Sequence, residues 1–126
     1  MGNRSFTASA KGAAMEIVER TEEGVRCVAL SGRLDSNTSR ELEQKLLPMV
    51  DEEGSRLLVD LTDLNYISSA GLRVFLLAAK RSKKQQSKIV LAALNENVRE
   101  VFDISGFSTL FTIATSPKEG ATACKE

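Results

Sequence analysis

The sequence contains no histidine among its 126 residues and only two cysteines. The lack of histidine excludes Ser-His-Asp and Cys-His activation of a nucleophile, histidine ligation of a metal, and the commonest general base near neutral pH. Cys27 lies within an apolar run and Cys124 in a polar segment, so the two predict neither a disulfide framework nor a metal site. We therefore expect no catalytic residues, no metal and no cofactor, and a protein that is not an enzyme.

Motifs of nucleotide and ester chemistry are missing as well. The chain has neither a G-x-x-x-x-G-K-[ST] loop nor a G-x-G-x-x-G turn after a strand. The pattern G-x-S-x-G fails at Ser69, because Ile67 stands where the first glycine should be. Since 17 basic and 17 acidic side chains cancel, no overall field draws the protein to nucleic acid or to an anionic membrane.

Long apolar segments are also lacking. No apolar run approaches the roughly 20 residues that span a bilayer, and the first residues have no apolar core of a secretory signal. We therefore predict a cytoplasmic protein with no nucleic acid or membrane among its partners.

Two clusters of charge leave alternatives open. A basic run could bind phosphate, but because it has no interleaved aromatic residues, a solvated helix end is favoured. This run consists of Lys80, Arg81, Lys83, Lys84 and Lys88. Asp60 and Asp63 could begin a metal site, but without a third ligand they favour a role in capping a turn at the end of a strand.

Hydrophobic periodicity predicts a single α/β domain. Residues 1–13 carry no periodic apolar pattern and are predicted to be a flexible tail. Two apolar strands joined by a turn at Gly24 predict an antiparallel hairpin. Each later strand is separated from the next by a helix, which predicts parallel neighbours and the order β-β-α-β-α-β-α-β. Residues 116–126 are predicted to be a C-terminal tail, weakly helical at most.

Polar residues mark the predicted helix starts. Thr38 and Glu41 have the Ser/Thr-x-x-Glu spacing of a capping box. Asn95 is typical of an N-cap, as are Ser68 and Ser69. The junction at the two serines follows a strand, at the edge where α/β proteins place functional groups, and free N–H groups at a helix start favour an anion. A phosphate on Ser69 is therefore electrostatically favourable.

Three segments of the chain, "LSGRLDSNTSREL", "VDLTDLNYISSAGLRVFL" and "NENVREVFDISGFSTLFTI", occur in order along residues 14–115. Together they resemble the STAS domains of bacterial anti-sigma-factor antagonists. The resemblance implies a STAS domain over 14–115, with a mixed sheet and helices packed against it. It also places the phosphoacceptor of the family's Asp-Ser-[Ser or Thr]-Gly-Leu loop at Ser69, with Ser68 standing where many members have Asp.

The resemblance further implies a surface and a function. The acidic residue of the loop facing the acceptor corresponds to Asp35, for which the alternative is a turn residue before the helix. Arg73 occupies a position where the family often has a small residue. The implied partner-binding residues are Asp35, Ser36, Asn37, Ser68, Ser69, Ala70, Gly71, Leu72 and Arg73.

By this resemblance, the unmodified protein binds an anti-sigma factor with serine-kinase activity and thereby releases a sigma factor for transcription. Phosphorylation of Ser69 by that kinase ends the interaction, and a serine phosphatase restores it. The alternative is a non-switching STAS scaffold or transporter-associated subunit, in which Ser69 only caps a helix.

Overall fold

The computed structural model describes residues 6–7 and 15–126 of the chain. Its strands are β1 (Phe6–Thr7), β2 (Met15–Glu22), β3 (Val25–Leu34), β4 (Arg56–Ile67), β5 (Lys88–Ala92) and β6 (Thr112–Ala114). Its helices are α1 (Ser39–Val50), α2 (Ser69–Gln85), α3 (Glu96–Ile104) and α4 (Pro117–Lys125), with a 3₁₀ turn at Phe107–Thr109. Strands and helices alternate from β3 onward, as expected for an α/β domain.

The six strands form one mixed sheet in sequence order. β1 pairs with β2 and β2 with β3 in antiparallel fashion, whereas β3–β4, β4–β5 and β5–β6 are parallel. The β2–β3 hairpin turns through Glu23 and Gly24, whose φ angles of 52° and 83° are the left-handed pair that a two-residue turn requires. The predicted fold class, an antiparallel hairpin followed by parallel strands, is confirmed.

The main hydrophobic core lies between one face of the sheet and helices α1, α2 and α3. Leu46, Phe75 and Phe102, one from each helix, are fully buried against the central strands. The ring of Phe75 meets the ring of Phe102 edge-on, with 5.7 Å between centroids. Because each parallel crossover returns the chain over this face, the starts of α1 and α2 lie at the same edge of the sheet.

The opposite face of the sheet is partly covered by α4, which the sequence prediction missed. Residues 116–126 do not form a tail: Ala121 and Cys124 are fully buried against the sheet. A Cβ added at Gly120 would lie 2.5 Å from Leu58 Cδ1, so the helix backbone rests directly on β4. The packing surface consists of small side chains, which do not produce a strong apolar stripe in the sequence, and this is why the helix was missed.

The predicted flexible tail, residues 1–13, lies for the most part outside the described residues. Its described part is β1, where Phe6 pairs with Glu19 and Thr7 with Val18. The chain therefore adds a short strand to the edge of β2 at this point.

Two predicted strands have different bounds in the structure. The apolar run at 56–61 predicts a strand that ends at Leu61, whereas β4 runs on to Ile67. The run "TLFTI" predicts a last strand from Thr109, whereas β6 begins at Thr112, because Phe107–Thr109 form the 3₁₀ turn. That turn brings Phe107 and Phe111 against the ring of Phe102, at centroid distances of 6.5 and 6.4 Å. At this point the chain therefore packs aromatic rings against α3 instead of pairing in the sheet.

Asp60 lies inside β4, where the β3–β4 pairing is irregular, and does not terminate the strand. Its carboxylate accepts hydrogen bonds from Arg20 at 2.8 Å and from the Thr62 backbone N–H at 3.0 Å. Burial raises the pKa of Asp60, but the hydrogen bonds from Thr62 and Arg20 outweigh this and lower it below its ordinary value. The expected capping of a turn at the strand end is therefore wrong: Asp60 links β4 to β2. Within residues 6–7 and 15–126, no group of three or more potential ligands could hold a metal ion.

Candidate functional site

The loops that follow β3 and β4 meet at one edge of the sheet. Leu34 and Ile67, the last residues of these two parallel strands, are register partners. The backbone N–H of Ser68 donates to the carbonyl oxygen of Leu34 at 2.9 Å. This hydrogen bond joins the start of α2 to the end of β3, so the predicted site residues of both loops belong to one surface.

The start of α2 packs closely against this edge because residue 71 is a glycine. A Cβ at Gly71 would lie 2.7 Å from Leu34 Cγ and 3.0 Å from Ile67 Cγ1, both on buried side chains. Contacts this short do not occur between unstrained side chains, so either the helix or the strand ends would have to move. Gly71 therefore allows the close approach of α2 to the sheet that positions the serines before it.

The two adjacent serines differ in what their side chains contact. Ser68 is the N-cap of α2, and its Oγ accepts a hydrogen bond from the Gly71 backbone N–H at 3.3 Å. Ser69 is the first residue of the helix and is exposed, and its hydroxyl makes no hydrogen bond to any residue that the structure describes. The capping role is thus carried by Ser68, which leaves the Ser69 hydroxyl available to another molecule.

The β3–α1 loop is organised by Asp35. Its Oδ1 accepts hydrogen bonds from the backbone N–H groups of Asn37 at 2.9 Å and Thr38 at 3.1 Å. The Thr38 N–H group is the main reason that the pKa of Asp35 is lowered from its ordinary value. The loop is therefore held by a turn aspartate, with Ser36 and Asn37 exposed at its tip.

The predicted capping box of α1 does not form. Thr38 is the N-cap, but its hydroxyl donates to the carbonyl oxygen of Arg33 at 2.8 Å and accepts from the Asp35 backbone N–H at 2.9 Å. Because Asp35 accepts from the Thr38 N–H, the aspartate takes the place that the Glu41 side chain would have in a capping box. The start of α1 is therefore tied to the loop that carries the predicted partner surface.

A groove of about 300 Å³ separates the first turns of α1 and α2. It is lined by Ser36, Ser39, Arg40, Glu43, Ala70, Arg73, Val74 and Leu77. Three predicted site residues, Ser36, Ala70 and Arg73, come together here. Leu72 packs partly buried against the core. The contribution of Arg40 and Glu43 from α1 was not predicted, because their role depends on how α1 packs against α2.

An aromatic side chain also lies at this edge. Tyr66 is 40% exposed, and the guanidinium of Arg33 lies 4.2 Å from the centroid of its ring. These two residues are register partners on β4 and β3, one residue before the strands end. An exposed aromatic ring near a functional loop provides apolar area for a protein partner. The sequence signal was the lone tyrosine of the chain, two residues before Ser68.

The next parallel strand contributes a structural residue to the same edge. Asn95 is the N-cap of α3, with its Oδ1 accepting from the Val98 backbone N–H at 2.9 Å, as predicted. Its Nδ2 donates to the carbonyl oxygen of Leu64 in β4 at 2.8 Å. Asn95 therefore fixes α3 to β4 beside the start of α2.

This mixed sheet, with α1–α3 on one face and α4 on the other, defines a domain of the STAS type. The family model described as STAS domain matches residues 16–120, and the chain belongs to this family. In sequence it is 44% identical over 103 residues to BtrV, a candidate anti-sigma factor antagonist of Bordetella bronchiseptica, covering 82% of this chain and 89% of that protein.

Further matches agree with this assignment. The chain is 32% identical over 103 residues to the anti-sigma-B factor antagonist of Bacillus subtilis, covering 82% of this chain and 93% of that protein. Its fold resembles that of an anti-sigma factor antagonist from Mycobacterium paratuberculosis, with a TM-score of 0.79 at 22% identity over 94% of this chain and all of that one. In the part of the chain that the structure describes, no helix is long and apolar enough to cross a bilayer.

Proposed function

We propose that the unmodified protein binds an anti-sigma factor that has serine-kinase activity and thereby frees a sigma factor. Phosphorylation of Ser69 by that kinase ends the binding, and a serine phosphatase restores it. The names of the relatives in Bordetella bronchiseptica and Bacillus subtilis support the anti-sigma factor as partner. In this proposal the protein is a regulatory substrate in the cytoplasm and not an enzyme.

The observation that carries the proposal is the division of roles between the two serines. The cap of α2 uses the Ser68 hydroxyl, while the Ser69 hydroxyl is exposed and has no hydrogen-bond partner among the described residues. A kinase can therefore modify Ser69 without breaking a bond that the fold needs. The helix dipole also favours a negative group at the start of α2. The first turn of α2 contains no acidic side chain that already supplies one.

The phosphate acts in this proposal through its charge at the partner surface. A phosphoserine adds about 1.5 to 2 negative charges near neutral pH. The surface around Ser69 includes the half-buried Ala70 and the exposed ring of Tyr66, which suit a partner that packs closely. Removing the charge of the phosphate from water at such an interface costs several kcal/mol, so modification weakens binding rather than the fold.

Phosphorylation with an anti-sigma factor kinase of the same organism tests the proposal. Tandem mass spectrometry after incubation with ATP is expected to locate one phosphate on Ser69 and none on the S69A variant. S68A is the matched control: it loses the helix cap, at a cost of about 1 kcal/mol, but still becomes phosphorylated at Ser69.

Two outcomes contradict the proposal. Phosphate on Ser68 would mean that the capping serine is the acceptor. No phosphate with a kinase that binds the chain would favour the non-switching scaffold or transporter-associated subunit.

A further inference from the structure

Most arginines that the structure describes have a partner. Arg20, Arg26, Arg81 and Arg99 form ion pairs with carboxylates. Arg56 donates to the carbonyl oxygen of Cys124, and Arg33 covers Tyr66. The described arginines without such a partner are Arg40 and Arg73. Both line the α1–α2 groove. Glu43 is the other charged side chain among the described residues that line it.

Arg73 lies on the same side of α2 as Ser69. The two residues are separated by four positions, which brings their Cβ atoms to within about 6 Å of each other and about 40° apart around the helix axis. Ala70 and Leu77 line the groove beside Arg73. Ser69 is therefore next to the rim of the groove, with Arg73 between it and the groove interior.

Arg40 faces Arg73 across the groove from the first turn of α1. The groove also contains Glu43, which forms no ion pair with either arginine. Two guanidinium groups and one carboxylate give the described lining of the groove an excess of one positive charge. The hydroxyls of Ser36 and Ser39 at the same wall add polar groups to an otherwise apolar lining by Val74 and Leu77.

We propose that Arg73 and Arg40 hold the phosphate of phosphoserine 69 within the protein itself, at the rim of the α1–α2 groove. This inference rests on the proposed phosphorylation of Ser69 and specifies how the modified state is stabilised. Arginine suits the role, because its planar guanidinium can donate two parallel hydrogen bonds to phosphate oxygens. The bound phosphate draws Arg73 and Arg40 together and so changes the groove beside the partner surface as well as its charge.

The test uses the full chain with phosphoserine installed at position 69 by genetic code expansion. The second phosphate pKa, ordinarily about 6, is measured by ³¹P NMR titration. We expect the wild-type value to lie at least about 0.5 below that of R73A, since nearby cations favour the dianion. R40A is expected to raise the value in the same direction, and R73K, which keeps the charge, to restore most of the shift.

R81A is the matched control, because Arg81 is on the same helix but about 18 Å along the axis from Ser69. It is expected to leave the phosphate pKa at the wild-type value. As a second readout, a broad-specificity phosphatase is expected to remove the phosphate at least twofold faster from R73A than from wild type. Equal phosphate pKa values in wild type, R73A and R40A would overturn the inference. Because the phosphate is installed during synthesis, that result would leave recognition of Ser69 by a kinase unaffected.

Discussion

Replacement of Gly71 by alanine tests how closely α2 must approach the sheet. A single methyl group would enter a space where Leu34 Cγ lies 2.7 Å and Leu34 Cδ2 lies 2.8 Å from the new Cβ. Leu34 is fully buried, and Ile67 on the other side is 3.0 Å away. Neither side chain can move into solvent, so the added methyl forces the helix start or the strand ends apart.

The expected magnitude follows from two opposing effects. In an unhindered helix, glycine to alanine stabilises by up to about 1 kcal/mol. Overpacking of a close contact costs about 1–3 kcal/mol, and the distances at Gly71 are short enough for the upper half of that range. We therefore expect G71A to lose about 1–2 kcal/mol of unfolding free energy, and G71V to lose more.

Urea unfolding followed by circular dichroism measures the loss. With an m-value of about 2 kcal/mol/M, the midpoint of G71A is expected about 0.5–1 M below that of wild type. S69A is the control in the same helical turn. Because the Ser69 side chain is exposed and makes no hydrogen bond to a described residue, S69A is expected to remain within about 0.5 kcal/mol of wild type. A G71A protein more stable than wild type would show that the helix start does not rest on Leu34 and Ile67.

Three further predictions concern the rest of the fold. N95A loses both the α3 cap and the link to β4, so we expect a loss of about 1–3 kcal/mol in urea unfolding, and an unchanged midpoint would refute the dual role. Because the pKa of Asp60 is lowered in the fold, its stabilising contribution is present above its unfolded pKa of about 4 and is lost as the pH falls through and below it. The stability difference between wild type and D60N should therefore shrink below about pH 4, and a pH-independent difference would contradict this. Burial raises the pKa of Cys27 to about 12 and also raises the pKa of Cys124. Neither thiol should therefore react with Ellman's reagent at pH 8 before the protein unfolds. Rapid reaction of the native protein would contradict the packing of α4.

The elements that the sequence predicted well are those with strong apolar periodicity or a local signal. The hairpin turn at Gly24 and the cap at Asn95 each follow from a single residue, because glycine adopts a positive φ without strain and the asparagine side chain can accept from a helix N–H. These signals act over a few residues, so the rest of the fold does not override them.

Helix α4 carried a signal of its own. Ser116 and Glu119 have the Ser-x-x-Glu spacing with Pro117 between them, and Ser116 Oγ accepts from the Glu119 backbone N–H at 3.2 Å. The same spacing at Thr38 and Glu41 predicted a box that does not form. What separates the two cases is the preceding loop. At α1 the Thr38 hydroxyl bonds to the Arg33 carbonyl oxygen and the Asp35 N–H, and Asp35 accepts from the Thr38 N–H.

The candidate site could be predicted in part. The neighbouring Ser68 and Ser69 were both typical of N-caps, and the division of roles between them became visible only when one hydroxyl was found bonded and the other free. The groove required α1 and α2 to be placed side by side, which no spacing in the sequence specifies. Arg40 therefore entered the site only with the structure.

The most direct test of the switch is calorimetric titration of the anti-sigma factor with three forms of the protein: unmodified, S69A and phosphoserine 69. The unmodified form and S69A are expected to bind with equal affinity, since both present a small neutral side chain at position 69. The phosphorylated form is expected to bind at least tenfold more weakly, which corresponds to about 1.4 kcal/mol. Equal affinities of all three forms would contradict the account.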